Sequence, residues 1–305
     1  MTFSIVACDL KEQAWGVAVA SKFLAAGAVV PFAQAGAGAI ATQSYANTAY
    51  GPRGLALLAN GVSAQETLDR LLADDDGRAL RQVGIVDAEG RAVTYTGQDC
   101  FARAGGVTGR GYACQGNILV GQATVEAMAE AFERTAGELA DRLYAALLAG
   151  DQAGGDSRGK QSAALLVVRP GGGYAGFNDR YLDLRVDDDS EPVRRLGGLV
   201  KLHRLYFGKS EPGERLKITG DLAKELQAIM ARLGFYAGAA HGEYDEATRA
   251  ALRAFTGKEN LEDRTFLDTG EIDPPALEYI RERFGVATQP GILLNADDAD
   301  QADFR

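Results

Sequence analysis

Phe3-Ser4-Ile5-Val6-Ala7-Cys8 and Trp15-Gly16-Val17-Ala18-Val19-Ala20, separated by the polar Asp9-Leu10-Lys11-Glu12-Gln13, open the chain. Two short apolar runs around a polar turn read as a β-hairpin. Strand alternation sets Thr2, Ser4, Val6 and Cys8 on one face and Phe3, Ile5 and Ala7 on the other. Working outward, Gly38 to Thr42 and the neighbourhood of Val29 are further strand candidates. The period then changes. Leu55, Leu57 and Leu58 follow Pro52, and Ser63-Ala64-Gln65-Glu66 is a capping box that opens a second helix through Leu68, Leu71 and Leu72. Gln82 to Asp87 and Ala92 to Thr96 form another hairpin, and Tyr112 to Leu119 another strand. Thr124 to Arg134 and Glu138 to Ala149 make a helix pair punctuated by Gly137 and Gly150. Ser162 to Arg169 and Tyr181 to Val186 close the series as strands about Pro170-Gly171-Gly172-Gly173, and Pro192 to Phe207 is a helix. Strand pairs alternating with helix pairs suit antiparallel sheets covered by helices, an α+β layered sandwich, and not a parallel βαβ array.

A chain of 305 residues exceeds the usual size of one core. The expected division is a domain over 1–208, a linker over 209–220 rich in charge with Pro212 and Gly213, a small helical domain over 221–285 and an acidic tail over 286–305. A net charge of −10 opposes binding to nucleic acid or an anionic membrane surface, and no basic patch offsets it. No apolar run reaches the length of a membrane span, and the start shows no secretory signal pattern. Cys8, Cys100 and Cys114 lack metal-ligand spacing, so the expectation is a cytoplasmic protein without metal or cofactor.

Chemistry is concentrated at the chain start. If Met1 is removed, Thr2 carries a free α-amine of reference pKa about 7.7 to 8.0 beside its own hydroxyl, so nucleophile and base belong to one residue. Ser4 shares its face. Gln115-Gly116-Asn117 lies within a strand, where glycine marks a close approach; Asn117 is an oxyanion-donor candidate and Gln115 a substrate contact. Gln43, Ser44 and Asn47, after Gly38 to Thr42, are candidates for the same cleft, although ordinary loop hydrogen bonding is the favoured reading for each. Gly36 and Gly38 lack the third glycine and acidic partner of a dinucleotide site. Cys8, ending a strand in apolar company, reads as a buried small hydrophobe.

Several segments then carry a resemblance: M-T-F-S-I-V-A-C-D, W-G-V-A-V-A-S-K-F-L-A-A-G, V-V-P-F-A-Q-A-G-A-G-A-I-A-T-Q-S-Y-A-N, Y-A-C-Q-G-N-I-L, G-G-D-S-R-G-K-Q-S-A-A-L-L-V and H-R-L-Y-F-G. Over residues 1–208 the chain resembles a family of unknown function, domain of unknown function 1028, placed among the N-terminal nucleophile (Ntn) hydrolases. The resemblance implies a four-layer αββα fold and an amidohydrolase acting on a small molecule or short peptide. The text G-V-A-V-A-S-K is similar to a proteasome-type pattern in which an acidic residue ends the strand; Ser21 stands in that place here, and Lys22 is the candidate positive charge beside the nucleophile. Asp156 with Ser162 resembles the Asp and Ser supporting such a nucleophile, with Arg158 a partner for Asp156 or for a substrate carboxylate. A glycine-rich turn stabilised by the same side chains is the alternative. A catalytically silent Ntn-like fold that binds a small ligand or peptide is the rival function. A homodimer is expected through the two Ala-rich helices.

Leu226, Gln227, Leu233, Gly234, Tyr236, Gly238, Gly242, Tyr244, Thr248, Leu252 and Phe255 resemble the pattern of a peptidoglycan-binding domain. Leu222, Leu226, Ile229 and Leu233 form a helical apolar stripe, and Ala247, Ala251, Leu252 and Phe255 a second one packed on it. Thr256 stands where that pattern continues with Gln, which favours a packing or dimerisation module over wall binding.

Overall fold

In the computed structural model, which describes residues 2–208 and 210–285, the opening hairpin is the centre of a six-stranded sheet. β1 (Thr2–Asp9) pairs with β2 (Ala14–Ser21), while β3 (Pro31–Gln34) and β4 (Gly38–Ser44) enter a second sheet. After α1 (Tyr50–Ala59) and α2 (Ala64–Ala73) come β5 (Arg81–Asp87), β6 (Ala92–Thr96), β7 (Gly105–Gly109) and β8 (Tyr112–Asn117). α3 (Ala123–Arg134) and α4 (Leu139–Gln152) precede β9 (Ser162–Val168), β10 (Arg180–Val186) and α5 (Pro192–Phe207). The large sheet runs β10-β9-β2-β1-β8-β7 and the smaller one β3-β4-β5-β6, with every pairing antiparallel.

Alternation along the strands builds three apolar layers. Phe3, Ile5 and Ala7 face Val125, Met128, Phe132, Leu143 and Leu147 of α3 and α4. Val6, Val17 and Val19, on the opposite face, meet Ala39, Ala41 and Val86 of the second sheet. Ile40, Val83 and Ile85 turn away from that interior toward Leu58, Leu68 and Leu71 on α1 and α2. The order is helices, sheet, sheet, helices. Gly16 is fixed by close approach, since a Cβ there would lie 2.7 Å from both Leu143 Cδ1 and the Leu166 carbonyl. The expected capping box is half realised: the Glu66 N–H donates to Ser63 Oγ at 3.2 Å and opens α2.

One strand expectation shifts by two residues, and one strand was not foreseen. Val29 is not extended. It follows the turn Ala26–Ala28, and the N–H groups of Val29 and Val30 donate to the Ala26 carbonyl, so β3 begins at Pro31. The glycine-rich β7 was not expected, because Gly105-Gly106-Val107-Thr108-Gly109 has little apolar alternation; as an edge strand it needs only one partner, β8.

The chain divides into two units between Lys201 and Leu202, inside α5 and not at 208. The apolar positions explain the shift: Leu196 and Val200 belong to the core of the first unit and Leu205 to that of the second. The expected linker over 209–220 is corrected likewise, because β11 (Leu216–Lys217) is a strand and Ile218 is buried. There follow α6 (Gly220–Arg232), α7 (Glu246–Lys258), β12 (Thr265–Phe266), β13 (Glu271–Ile272) and α8 (Pro274–Phe284), with β13 between β11 and β12. Leu226, Ile229, Ala251, Leu252 and Phe255 are buried as the stripes require, whereas Leu233 ends α6 on the exposed side, just before Gly234 at φ 81°. Gln227 accounts for three positions of the pattern at once. Its amide donates to the Glu243 carbonyl (3.0 Å) and Thr248 Oγ1 (2.8 Å) and accepts from the Gly242 N–H (2.9 Å). The expected acidic tail lies outside the described residues. Among the described residues no helix is long and apolar enough to cross a membrane, and no group of three or more His, Cys, Asp or Glu is placed to hold a metal ion.

In the second unit the buried Arg264 pairs with Asp273 at 2.8 Å and donates to the Leu205 and Arg204 carbonyls near the end of α5. Removing the guanidinium leaves a buried carboxylate and two helix-end carbonyls without this donor. Arg264→Ala should therefore cost about 3–5 kcal/mol in chemical denaturation followed by circular dichroism; an unchanged midpoint would show that the pair does not hold this unit.

Candidate functional site

The strand registers gather the polar residues at one end of the sandwich. Thr2 is opposite Asn117, Ser4 opposite Gln115, Gln43 opposite Gln82, Gln82 opposite Thr96, and Ser21 opposite Ser162. Thr2, Ser4, Gln115 and Asn117 share the face that looks into the gap between the sheets, as Val6 and Ala113 do one step farther in. Polar side chains buried there require partners, and they supply one another. Ser4 Oγ donates to Gln43 Oε1 at 2.6 Å and accepts from Gln115 Nε2 at 2.7 Å. Gln43 Nε2 donates to Gln82 Oε1 (2.8 Å) and to the Thr2 carbonyl (3.2 Å). Gln82 Nε2 donates to the Gly116 carbonyl (2.7 Å) and Thr96 Oγ1 (2.9 Å), and Asn117 Nδ2 donates to Gln82 Oε1 (2.9 Å). Gly84 makes room for this ladder, since a Cβ there would stand 2.1 Å from Gln115 Oε1.

At the outer end of the ladder, Thr2 Oγ1 lies 3.1 Å from Ser21 Oγ. A small recess near this strand end is lined by Phe3, Ala20, Ser21, Asp156, Lys160 and Pro192, among others; Phe3 and Ala20 belong to the helix-covered face of the sheet, so the recess lies behind Thr2. Backbone strain collects here too. Ile118, directly after Asn117, has φ 51°, Ser44 at the end of β4 has φ 69°, and Arg103, whose carbonyl accepts from the Leu119 N–H, has φ 59°. A left-handed conformation costs a non-glycine residue about 1–3 kcal/mol, most for a β-branched one such as Ile118, and clusters of it accompany functional sites.

The sequence-derived candidates separate into three groups. Thr2, Ser4, Ser21, Gln43, Gln115 and Asn117 come together. Ser4 is fully buried with its proton and a lone pair engaged, so it acts as a structural link; Asn117 gives one of the two N–H bonds of its carboxamide to Gln82. Asp156, Arg158, Ser162 and Lys22 lie alongside as scaffolding. Asp156 accepts from the backbone N–H groups of Lys22 and Arg158 (both 2.9 Å) and pairs with the Arg158 guanidinium. Ser162 Oγ donates to the Phe23 carbonyl (2.6 Å) and accepts from the Ala26 N–H (3.1 Å), and the Lys22 ammonium reaches the Lys160 carbonyl at 3.3 Å. Asn47 belongs elsewhere. Its Nδ2 donates to Asp75 Oδ2 at 3.0 Å, while Ser44 Oγ lies 3.6 Å from Cys100 Sγ. Cys8 is buried, and burial, with the nearby Asp87 and Asp9 carboxylates, pushes its thiol up to about 12, which suits an inert side chain.

Gln82 is central and was missed from sequence. The available signal was a Gln sharing a strand face with Gly84, polar bulk beside a vacancy. Asp75 was missed as well, within the acidic run Asp74-Asp75-Asp76. Its carboxylate accepts from Tyr50 Oη (2.7 Å), Arg81 Nε (2.9 Å), Asn47 Nδ2 (3.0 Å) and the Gly77 N–H (2.8 Å). Arg81 above all, then Asn47, Tyr50 and Gly77, hold the carboxyl well below the usual carboxylate range against the opposing effect of burial, which together with Asp75 raises the Tyr50 hydroxyl. Arg81 also donates to the Tyr45 carbonyl at 2.6 Å, so this knot fixes the segment that follows Gln43 and Ser44.

Two antiparallel sheets between helices, with a buried polar ladder leading to one strand end, define a layered α+β protein with a candidate site at the N-terminal strand. The sequence model described as "Family of unknown function (DUF1028)" matches residues 2–196, and the chain belongs to that family. A second model, "Putative peptidoglycan binding domain", matches residues 206–280. The chain is similar to a Silicibacter pomeroyi protein of the same family, known from a crystal structure, at 30% identity and a TM-score of 0.61, covering 73% of this chain and 91% of that one. No curated protein matches.

Two outcomes follow from this geometry. Ser4→Ala strands Gln43 Oε1 and Gln115 Nε2 in the interior and should cost about 1–3 kcal/mol per orphaned group in denaturant titrations; a neutral effect would mean the ladder is rearranged or hydrated. Asp75, with its carboxyl depressed in the folded state, contributes stability that is present above the ordinary carboxylate pKa of about 3.9 and is lost as pH falls below it. Asp75→Asn should accordingly be less stable than the parent at neutral pH, and the difference should shrink in unfolding measurements stepped from pH 5 down to about 2. A pH-independent difference would remove Asp75 from the acid response.

Proposed function

We propose that this chain is an N-terminal nucleophile hydrolase that cleaves an amide bond in a small molecule or short peptide, with Thr2 as nucleophile once the residue before it has been removed. The observation that carries this reading is the seat of Thr2. It begins the central strand of the large sheet, its carbonyl is held by Gln43, its hydroxyl lies against Ser21, and the buried ladder leads to it from the interior. The order helices, sheet, sheet, helices supports this reading, since an αββα Ntn-hydrolase-like sandwich would have those layers.

In this reading the α-amine of Thr2 takes the proton from Oγ1 as Oγ1 attacks the amide carbon. The amine then gives that proton to the departing nitrogen. Water, deprotonated by the same amine, attacks the resulting ester and restores the hydroxyl, so the reaction consumes one water and needs no other co-reactant. Large apolar side chains stand exposed in the segments that follow these strand ends: Phe23 and Leu24 after β2, Tyr45 after β4, and Val120 after β8. They favour a substrate with an apolar portion.

One observation favours a second reading, a silent relative that binds a ligand without turnover. Ser21 stands where the proteasome-type pattern that this segment resembles has an acidic residue. Intact mass analysis of protein from its native source, combined with hydrolysis of a panel of acyl and aminoacyl coumarin amides, separates the two. The hydrolase reading predicts a chain that begins at Thr2 and a rate that falls more than about 10³-fold in Thr2→Ala with the fold retained. A chain still carrying the preceding residue, or equal rates in both proteins, would refute it.

A further inference from the structure

The orientation of the buried carboxamides is dictated by the backbone. Gln82 Nε2 lies 2.7 Å from the Gly116 carbonyl and 3.3 Å from that of Gly105. Both can only accept, so the nitrogen must face them. Gln82 Oε1 is then the acceptor shown to Gln43 Nε2 and to Asn117 Nδ2. Gln43 cannot be turned over, because its nitrogen also serves the Thr2 carbonyl at 3.2 Å. Nor can Asn117, since a flip would set oxygen against oxygen. Its own oxygen, Oδ1, is left buried with no partner among the described residues, on a side chain only 1% exposed.

An orphaned acceptor in such a place costs about 1–3 kcal/mol. Gln115 Oε1 is orphaned too, but it lies against Gly84, where even a methyl group would not fit, and the fold leaves no space for a further donor there. Asn117 is different. It is the cross-strand neighbour of Thr2 on the same face, at the outer end of the ladder, where directly opposed Cβ atoms stand about 4.5–5.5 Å apart. The strained Ile118 follows immediately and fixes where β8 stops.

We infer that Asn117 Oδ1 is the hydrogen-bond acceptor that seats the α-amino group of Thr2 once the preceding residue is gone. The inference rests on the reading of Thr2 as an N-terminal nucleophile. An amine free to rotate directs its lone pair anywhere; one whose N–H is held by Asn117 has its lone pair confined to the two remaining staggered positions, so the arrangement in which it meets Oγ1 of its own side chain is populated more often. Asn117 is thus a positioning residue, and Gln82, by fixing its carboxamide, transmits the order of the sheet interior to the nucleophile. An acceptor also favours the charged ammonium, so it raises the amine pKa relative to a site without it.

The test uses the full chain labelled with ¹⁵N-threonine, its N-terminus first checked by mass, and follows the Thr2 amine by NMR through a pH titration in the parent, Asn117→Leu and Asn117→Asp. Lys22 after β2, Arg81 at the start of β5, Asp156 with Arg158 before β9, and Asp151 paired with Lys160 are the charged groups around this strand end and are common to all three proteins. Asn117→Leu should lower the amine pKa by about one unit and Asn117→Asp should raise it, the opposite signs that loss of packing alone would not give. Should Asn117→Leu fail to fold, the rise in the near-isosteric Asp variant carries the test. An exposed amine whose pKa is the same in the parent and the variants overturns the inference and leaves the nucleophile reading standing. A mass that retains the preceding residue removes the amine, and both fall together.

Discussion

Polar side chains buried between two apolar sheets must find their partners within a gap set by strand packing, and this requirement shapes the first unit. Gln82 meets it by reaching two carbonyls of the opposite sheet, those of Gly105 and Gly116, while its oxygen collects Gln43 and Asn117. The sheets are thereby registered against each other by directional contacts as well as by the shape of the small residues Ala39, Ala41 and Ala113. Alanine and valine let the sheets approach closely; the carboxamides then determine which rows face one another. A buried network of this kind is useful only when nearly complete, because each missing partner leaves a desolvated group behind.

The position of Thr2 follows from that order. A residue starting a strand would ordinarily fray, yet Thr2 is buried and has its carbonyl and hydroxyl both engaged. On the loop side, Asp156 ties the end of β2 to the glycine-rich turn, and the Asp75–Arg81 knot ties the segment after β4 to the start of β5. Rigid surroundings at a strand end are what a nucleophile needs, since a small displacement of the attacking atom carries a large penalty in rate.

Much of this was legible in the sequence, and the limits have physical causes. The opening hairpin, the capping box at Ser63 and the two helix pairs were readable because apolar periodicity is a local property. The shared face of Thr2 and Ser4 followed from strand alternation alone. The role of Ser4 did not: whether a buried hydroxyl is a nucleophile or a link depends on what lies across the gap, here Gln43 and Gln115, distant in sequence. Gln82 was overlooked because it acts between sheets, and β7 because a glycine-rich edge strand carries no apolar pattern. Asn117 was picked out by its residue type, but its orientation, imposed by Gln82, could not be read there. The boundary inside α5 was invisible because the helix continues uninterrupted while the core to which its apolar face belongs changes.

The central claim is that the ladder presents Thr2 as a reactive N-terminal nucleophile, and it is tested most directly by treating the full chain with a β-lactone electrophile and mapping the adduct by peptide mass spectrometry. The account predicts a single stoichiometric acyl adduct on Thr2, with none on Ser4 or Cys8. An absence of labelling, or an adduct on another residue with Thr2 untouched, would contradict it.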